Sequence, residues 1–280
     1  MSIRLSVAIA GENAAPSAFV VWRGFADSMR KASALGYHGV ELALKTAQDI
    51  ARPELEALLV QNKLEVSCIS TGQVFAALGL YFTHPDADAR RKLQQIFCEL
   101  IDLAAEHSRL LNIGRARGFI APDSTAEQTR ALFAQTLEPV RHYALQRGVK
   151  LIIEPINRYE INFINAVDEG SELITALGLE GVGLMPDVFH MNIEDDTIGG
   201  SLLRNRAHVS YIHMADSNRL APGWGHLDFD DVFDSIVEMR YDGWLSVEIL
   251  PKPDPDSAAE QAARFLLPRI EKVNALLAKK

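Results

Sequence analysis

The sequence repeats one pattern eight times: a short apolar run is followed by a longer segment with apolar residues at helical spacing. The apolar runs cover residues 3–10, 38–42, 65–70, 110–113, 149–153, 182–185, 209–212 and 244–247. Nearly continuous apolar runs are typical of parallel strands that helices cover on both faces. Eight such alternations within 280 residues predict an α/β fold, a single (β/α)8 barrel domain over residues 1–280.

The segments between the runs carry helix signals. Phe25, Met29 and Ala32 fall on one helical face, Ser124 with Glu127 suggests a capping box, and Asn165 is a candidate N-cap. A doubly wound open sheet is the alternative fold. Such sheets usually have a glycine-rich phosphate loop after an early strand, and this sequence has none. The pattern therefore favours the closed barrel.

Composition narrows the range of partners. The formal net charge of −9 argues against a nucleic acid or an anionic membrane as the main partner, although a small anionic substrate needs only a local cation. Cys68 and Cys98 show no CxxC spacing and are expected to be buried free thiols. The apolar N-terminal run is too short for a signal peptide or membrane span, so a cytoplasmic location is expected.

Polar residues stand where the last four predicted strands end. Glu154, Asp187, His213 and Glu248 each follow apolar residues directly. The carboxyl ends of barrel strands and the loops after them build the active sites of such folds. One strand-end carboxylate is often only a satisfied polar group. Four polar side chains at the ends of consecutive strands, three carboxylates and one imidazole, predict a shared site.

Three carboxylates and one imidazole suit a divalent cation, whose charge removes the repulsion among the carboxylates. Oxygen donors with one nitrogen and no sulfur favour Mn²⁺ first, with Mg²⁺ or Co²⁺ as alternatives.

Further polar residues lie in the loops after these strands. Arg158 can form a salt bridge with Glu160 or Asp187, or can contact a substrate. His190 is expected to contact the substrate rather than to orient a ligand. Two arginines after the fourth strand, Arg115 and Arg117, are candidates for the anionic end of a substrate.

These residues belong to motifs that resemble a known family. The segments EPINRYE, PDVFHMNIED, HMADSNRLAPGWGHLDF and SVEIL, with TGQ at 71–73 and THPD at 83–86, are similar to those of the sugar isomerase/epimerase superfamily with the xylose isomerase-like barrel. The nearest group is the D-tagatose and D-psicose 3-epimerases. Within it, the ADSNR and TGQ segments are most similar to the 5-keto-L-gluconate epimerase branch, which acts on a sugar acid.

The resemblance implies roles for particular residues. Glu154, Asp187, His213 and Glu248 would be the metal ligands, and Glu154 and Glu248 would also be the catalytic acid/base pair, one on each face of the substrate. The substrate-binding residues would be Glu160, His190 and Arg219. Asp216 stands where the ketose epimerases often have Glu. The resemblance also implies a homo-oligomer, a dimer or tetramer.

The predicted function is thus a divalent-metal-dependent epimerase of a keto sugar or keto-sugar acid. It would invert a carbon next to the ketone by proton exchange between two glutamates, through a metal-stabilised enediolate. One alternative is an aldose–ketose or inosose isomerase on the same metal site. A second is an abasic-site endonuclease-like metalloenzyme, against which the acidic charge counts. A third is a binding protein that has lost catalysis.

Overall fold

The computed structural model describes residues 2–17 and 19–278. Its strands are parallel and follow the predicted apolar runs, with one short addition, β2, that pairs with β1. The strands are β1 Arg4–Ala10, β2 Trp22–Arg23, β3 Gly39–Ala43, β4 Glu65–Ser70, β5 Leu110–Ile113, β6 Lys150–Ile153, β7 Val182–Leu184, β8 Ile212–Met214 and β9 Trp244–Val247.

The sheet closes into a barrel. Its hydrogen-bonded order is β7-β6-β5-β4-β3-β1-β9-β8, and isolated parallel bridges from Leu184 to Val209 and from Asp187 to His213 join the two end strands β7 and β8. The second bridge lies at the C-terminal end of the barrel. The structure therefore confirms the predicted (β/α)8 architecture, and it brings two of the four strand-end residues side by side.

Helices follow the strands around the barrel. The α-helices of the described residues are α1 Phe25–Ala34, α2 Arg52–Asn62, α3 Gly72–Leu78, α4 Ala87–His107, α5 Ala126–Gln146, α6 Val167–Leu177, α7 Val188–Glu194, α8 Ile198–Arg204, α9 Phe229–Glu238 and α10 Pro255–Leu277. Short 3-10 turns cover Ala47–Asp49 and Arg115–Arg117.

The core lies between the strands and these helices. One part of it is a group of buried phenylalanines, in which Phe82 packs edge to face on Phe97 and Phe133, and Phe133 packs on Phe163, with ring centroids 4.9–5.7 Å apart. This group joins α4 and α5 to the loop after β6. It thereby fixes the base of a loop that carries candidate site residues.

Some local predictions were wrong. Helices α3 and α7 lie inside strand-to-helix loops, and each has only seven residues, too few for a helical period to stand out in the sequence. The capping box uses Thr125 and Gln128, one residue later than predicted. Asn165 does not cap α6 with its side chain. It donates instead to the carbonyls of Ile156 and Ile161, which closes the loop before that helix.

Cys68 and Cys98 are both free thiols, the first buried and the second half-buried. No helix among the described residues is long and apolar enough to cross a membrane. That residues 1–280 form one domain, that the protein is a homo-oligomer and that it is cytoplasmic all stay predictions.

Candidate metal centre

The four strand-end side chains predicted to share a site meet at the C-terminal mouth of the barrel. Each offers one ligand atom, and these atoms all lie within 4.8 Å of one another. Asp187 and His213 are fully buried, Glu154 is 6% exposed, and the Glu248 side chain is 14% exposed. The cluster thus lies at the bottom of a cleft, with its carboxylates largely removed from water.

Each member of the cluster is held by a neighbouring group. The Asp187 carboxylate caps α7, because its Oδ1 accepts the backbone N–H of Phe189 (2.9 Å). Asn112 Nδ2 donates to Glu154 Oε2 (3.4 Å), and Arg219 Nη2 donates to Glu248 Oε2 (3.0 Å). Each of these contacts uses one oxygen of the carboxylate, and Asp187 Oδ2 is left without a hydrogen bond.

Two buried polar atoms in the cluster have no hydrogen-bond partner among the described residues: Asp187 Oδ2 and His213 Nδ1. His213 Nδ1 lies 3.4 Å from Glu154 Oε1 and 3.8 Å from Glu248 Oε2. Ligands about 2.1 Å from an octahedral cation lie roughly 3 Å apart when adjacent. A buried atom without a partner is costly, and a divalent cation among these atoms would satisfy both. The residues fit such an ion.

The electrostatics favour the same ligand. Burial raises the pKa of Asp187 to about 6. Burial, with the negative charges of Glu154 and Asp187, also raises the pKa of Glu248. Burial acts the same way on Glu154, but His213, His190 and Arg219 outweigh it and lower its pKa. Two of the three carboxylates therefore have raised pKa values, and a cation beside them would favour their charged forms.

The predicted substrate-binding residues form one network beside the cluster. Asn157 Nδ2 donates to Glu160 Oε1 (3.1 Å) and to His190 Nδ1 (2.7 Å). Arg219 Nη1 donates to the same Glu160 oxygen (2.7 Å). Because His190 accepts at Nδ1, its neutral ring carries the proton on Nε2, which lies 3.7 Å from Asp187 Oδ2 and faces the cluster.

Two aromatic rings that were not predicted fix Arg219. Its guanidinium lies 3.6 Å from the ring centroid of Phe19 and 4.9 Å from that of Phe189. Arg219 is 5% exposed and has a left-handed backbone with φ of 60°. The two rings and the hydrogen bonds to Glu160 and Glu248 hold the guanidinium in place at the wall of the cleft.

The structure separates the two arginines predicted for an anionic substrate end. Arg117 is fully buried and donates to the backbone carbonyls of Gly114, Phe163 and Ile164, so it is a structural clamp. Arg115 lines the cleft, half-buried, with its guanidinium 5.5 Å from the Phe75 ring.

The salt-bridge partners predicted for Arg158 were wrong. Arg158 pairs with Glu194 of α7 (2.7 Å), away from Glu160 and Asp187. Asp216 accepts the backbone N–H groups of Ser217, Gly223 and Leu227. It therefore organises the loop after β8.

One residue of the site was missed. Glu41, in the middle of β3, is fully buried, lines the cleft and accepts a hydrogen bond from His213 Nε2. A signal was present, since a glutamate stands inside the apolar run at 38–42. Its position within a strand, rather than after one, set it apart from the other four.

The fold and cluster define a class of protein: (β/α)8 barrels with a carboxylate-rich, metal-type site at the C-terminal mouth. Residues 29–269 match the family model described as the xylose isomerase-like TIM barrel, and the chain belongs to that family, one of isomerases and epimerases.

Several named relatives are sugar epimerases. The D-psicose 3-epimerase of Ruminiclostridium cellulolyticum is 26% identical over 79% of this chain and 76% of its own length. The 3-dehydro-D-guloside 4-epimerase of Escherichia coli is 32% identical, but the aligned part spans 49% of this chain and about half, 53%, of that protein. The solved D-allulose 3-epimerase of Methylomonas sp. has the same fold, with a TM-score of 0.81 and 20% identity over 96% of this chain and 98% of that chain.

Proposed function

We propose that this protein is a divalent-metal-dependent epimerase that inverts a carbon next to the ketone of a keto sugar or keto-sugar acid. The observation that supports it most is the position of Glu154 and Glu248. Both belong to the four-residue cluster, and they line the same cleft from β6 and β9, which are separated by two strands in the barrel. A substrate between them would have one carboxylate on each side.

In this proposal one of the two glutamates removes the proton from the carbon beside the ketone. The electron pair of the broken C–H bond moves toward the carbonyl oxygen. The other glutamate, in its protonated form, returns a proton to the opposite face, so the carbon is inverted and no atom is gained or lost. When bound, a divalent cation supplies Lewis-acid stabilisation of the charge on oxygen. Proton transfer of this kind contributes about 10²–10⁴-fold to the rate.

The neighbouring residues have supporting roles. Arg219 and the Nε2–H of His190 would donate to substrate oxygens. Glu160 would accept from a substrate hydroxyl while it holds Arg219 in place.

Arg115 supports a sugar acid as the substrate. Of Arg115, Arg117 and Arg219, the last is paired with two glutamates and Arg117 with carbonyls, whereas the Arg115 guanidinium has no hydrogen bond or ion pair within the described part of the chain. A guanidinium at the wall of a cleft is suited to bind a carboxylate in a bidentate way.

The test uses Mn²⁺-loaded protein in deuterated water, with a panel of ketoses, ketose phosphates and keto-sugar acids. NMR measures both epimer formation and deuterium incorporation. Glu154→Gln and Glu248→Gln should each abolish epimerisation. Each variant should still exchange the proton of one epimer only, the one whose C–H bond faces the remaining glutamate.

Glu160→Gln is the matched control, because it makes the same chemical change in the same cleft without removing a proposed base. It should raise KM and retain turnover. The metal content of every variant is measured, so that loss of the ion is distinguished from loss of the base. Near-normal epimerisation by either Glu154→Gln or Glu248→Gln would refute the two-base mechanism. Faster turnover of neutral ketohexoses than of keto acids would refute the sugar-acid part alone.

A further inference from the structure

The interior of the barrel contains a buried carboxylate below the metal-type cluster. Glu41 is fully buried in β3. It accepts hydrogen bonds from His213 Nε2, at 3.1 Å to Oε1 and 2.9 Å to Oε2, and from the Tyr211 hydroxyl at 3.0 Å. No lysine or arginine among the described residues forms an ion pair with it. A buried carboxylate is costly unless its neighbours compensate its charge. The burial of Glu41 at this position therefore indicates a specific role.

The contact determines which nitrogen of His213 faces the cluster. A neutral imidazole has one N–H and one lone pair. Since Glu41 can only accept, the proton is held on Nε2. The lone pair is then on Nδ1, the atom that has no hydrogen bond and points toward Glu154 and Glu248. That is the form in which a histidine can bind a cation.

A tyrosine holds the glutamate in turn. Tyr211 is fully buried, and its oxygen lies 3.1 Å from Ser6 Oγ and 2.7 Å from Ser67 Oγ. Tyr211 donates its one proton to Glu41. The Ser6 hydroxyl can therefore donate to the tyrosine oxygen, while Ser67 Oγ donates to the carbonyl of Val40 (3.1 Å). These residues come from β1, β3, β4 and the segment before β8, in a region that barrels normally fill with branched apolar side chains. The polar layer ends at His213.

We infer that Glu41 is a positioning residue for the metal centre: its carboxylate, fixed by Tyr211, orients His213 with Nδ1 toward the ion. Its negative charge also makes the imidazole a stronger donor. The inference rests on the proposed metal site and is independent of the substrate and of the reaction on it.

The first measurement is Mn²⁺ affinity, determined by electron paramagnetic resonance of the free ion. Glu41→Gln should weaken binding about 10- to 100-fold, the usual effect of changing such a partner of a metal ligand. Tyr211→Phe, which keeps Glu41 but removes its anchor, should give a smaller loss. Glu65→Gln is the matched control: it removes the same charge from an exposed side chain at the first residue of β4, at the other end of the barrel, and should leave the affinity unchanged.

The second measurement separates positioning from general loss of structure. The measurement is NMR of ¹⁵N-histidine-labelled, Mg²⁺-loaded protein. His213 is identified as the imidazole whose signals change both with Mg²⁺ and in Tyr211→Phe. Its proton should lie on Nε2, with none on Nδ1. The protonation is read in the wild-type protein and does not require Glu41→Gln, so it remains available even where that variant does not fold.

The outcomes distinguish two failures. Wild-type protein that binds no Mn²⁺ would refute the metal site itself. Wild-type protein that binds Mn²⁺, with a folded Glu41→Gln variant of the same affinity, would refute the role of Glu41 alone. A proton on Nδ1 of His213 in the Mg²⁺-loaded protein would also refute it.

Discussion

Replacement of Arg115 by glutamine should change which substrates the protein prefers. Arg115 lines the same cleft as Glu154 and Glu248 and is half-buried. Its guanidinium lies 5.5 Å from the Phe75 ring centroid and has no hydrogen bond or ion pair among the described residues. Its charge is therefore available to a ligand, in contrast to that of Arg219. Glutamine keeps a polar but shorter side chain and removes the charge and the forked donor geometry.

The expected magnitude follows from this environment. Two unit charges about 4 Å apart interact by about 4 kcal/mol at the effective dielectric constant typical near a protein surface. Because Arg115 is half-buried, part of that energy is screened by solvent, which leaves about 2–3 kcal/mol. At 1.36 kcal/mol per factor of ten, kcat/KM for a keto-sugar acid should fall by about 30- to 150-fold. For the neutral ketose of the same carbon skeleton it should change less than about threefold.

The assay compares kcat/KM for the acid with kcat/KM for the neutral ketose in each variant, because a ratio cancels differences in folded fraction and metal content. Arg130→Gln is the control, since Arg130 is exposed on α5 and should leave the ratio as it is. A ratio that stays within twofold of wild type in Arg115→Gln would refute the role given to this arginine. An equal fall in kcat/KM for both substrates would mean that the change acts on the metal site instead.

Three other perturbations have outcomes that the structure determines. Arg117→Met removes the side chain that donates to three backbone carbonyls. Because it also removes a buried charge, the free energy of unfolding in urea should fall by only about 2 kcal/mol. An unfolding free energy equal to that of Arg115→Gln would contradict the role of Arg117 as a clamp. Burial raises the pKa of Asp195 to about 6, above that of an unfolded aspartate. Between about pH 4 and 6 the folded state therefore keeps a proton that the unfolded state has lost, so the free energy of unfolding should fall as pH rises through this range. Asp195→Asn should reduce that fall by at most about 2–3 kcal/mol, measured by urea unfolding at pH 4 and 7, and identical pH profiles would exclude this residue as the cause. Chelation of Mn²⁺ that had been present at 100 times its Kd should lower the unfolding free energy by about 2.7 kcal/mol, and an unchanged melting temperature would count against specific binding.

The sequence predicted the barrel well, because its evidence is local. A buried parallel strand must be apolar almost throughout, and each of the eight predicted runs overlaps a barrel strand, the seventh at Ile212 alone. There the strand is Ile212–Met214 rather than 209–212, and Val209 forms only an isolated bridge. Short helices were missed for the opposite reason. Helix α7 depends on the cap from Asp187 and on its position in a loop, and its seven residues are too few to show helical periodicity.

The strand-end residues could be grouped from sequence because the topology of a parallel barrel brings the carboxyl ends of its strands to one rim. Glu41 could not be added by that rule. Its role depends on the distance to His213, 172 residues away along the chain, and a glutamate inside an apolar run has no fixed partner until the strands are placed.

The sequence by itself therefore determined the barrel and the set of polar side chains at its mouth, since both follow from apolar periodicity and from the order of residues along each strand. Only the tertiary structure decided which of these groups are free to act. Arg115 and Arg117 are two positions apart and chemically identical, yet one lines the cleft and the other is bound by three carbonyls. The difference comes from backbone that reaches Arg117 from the loop after the next strand, and no local pattern contains that contact.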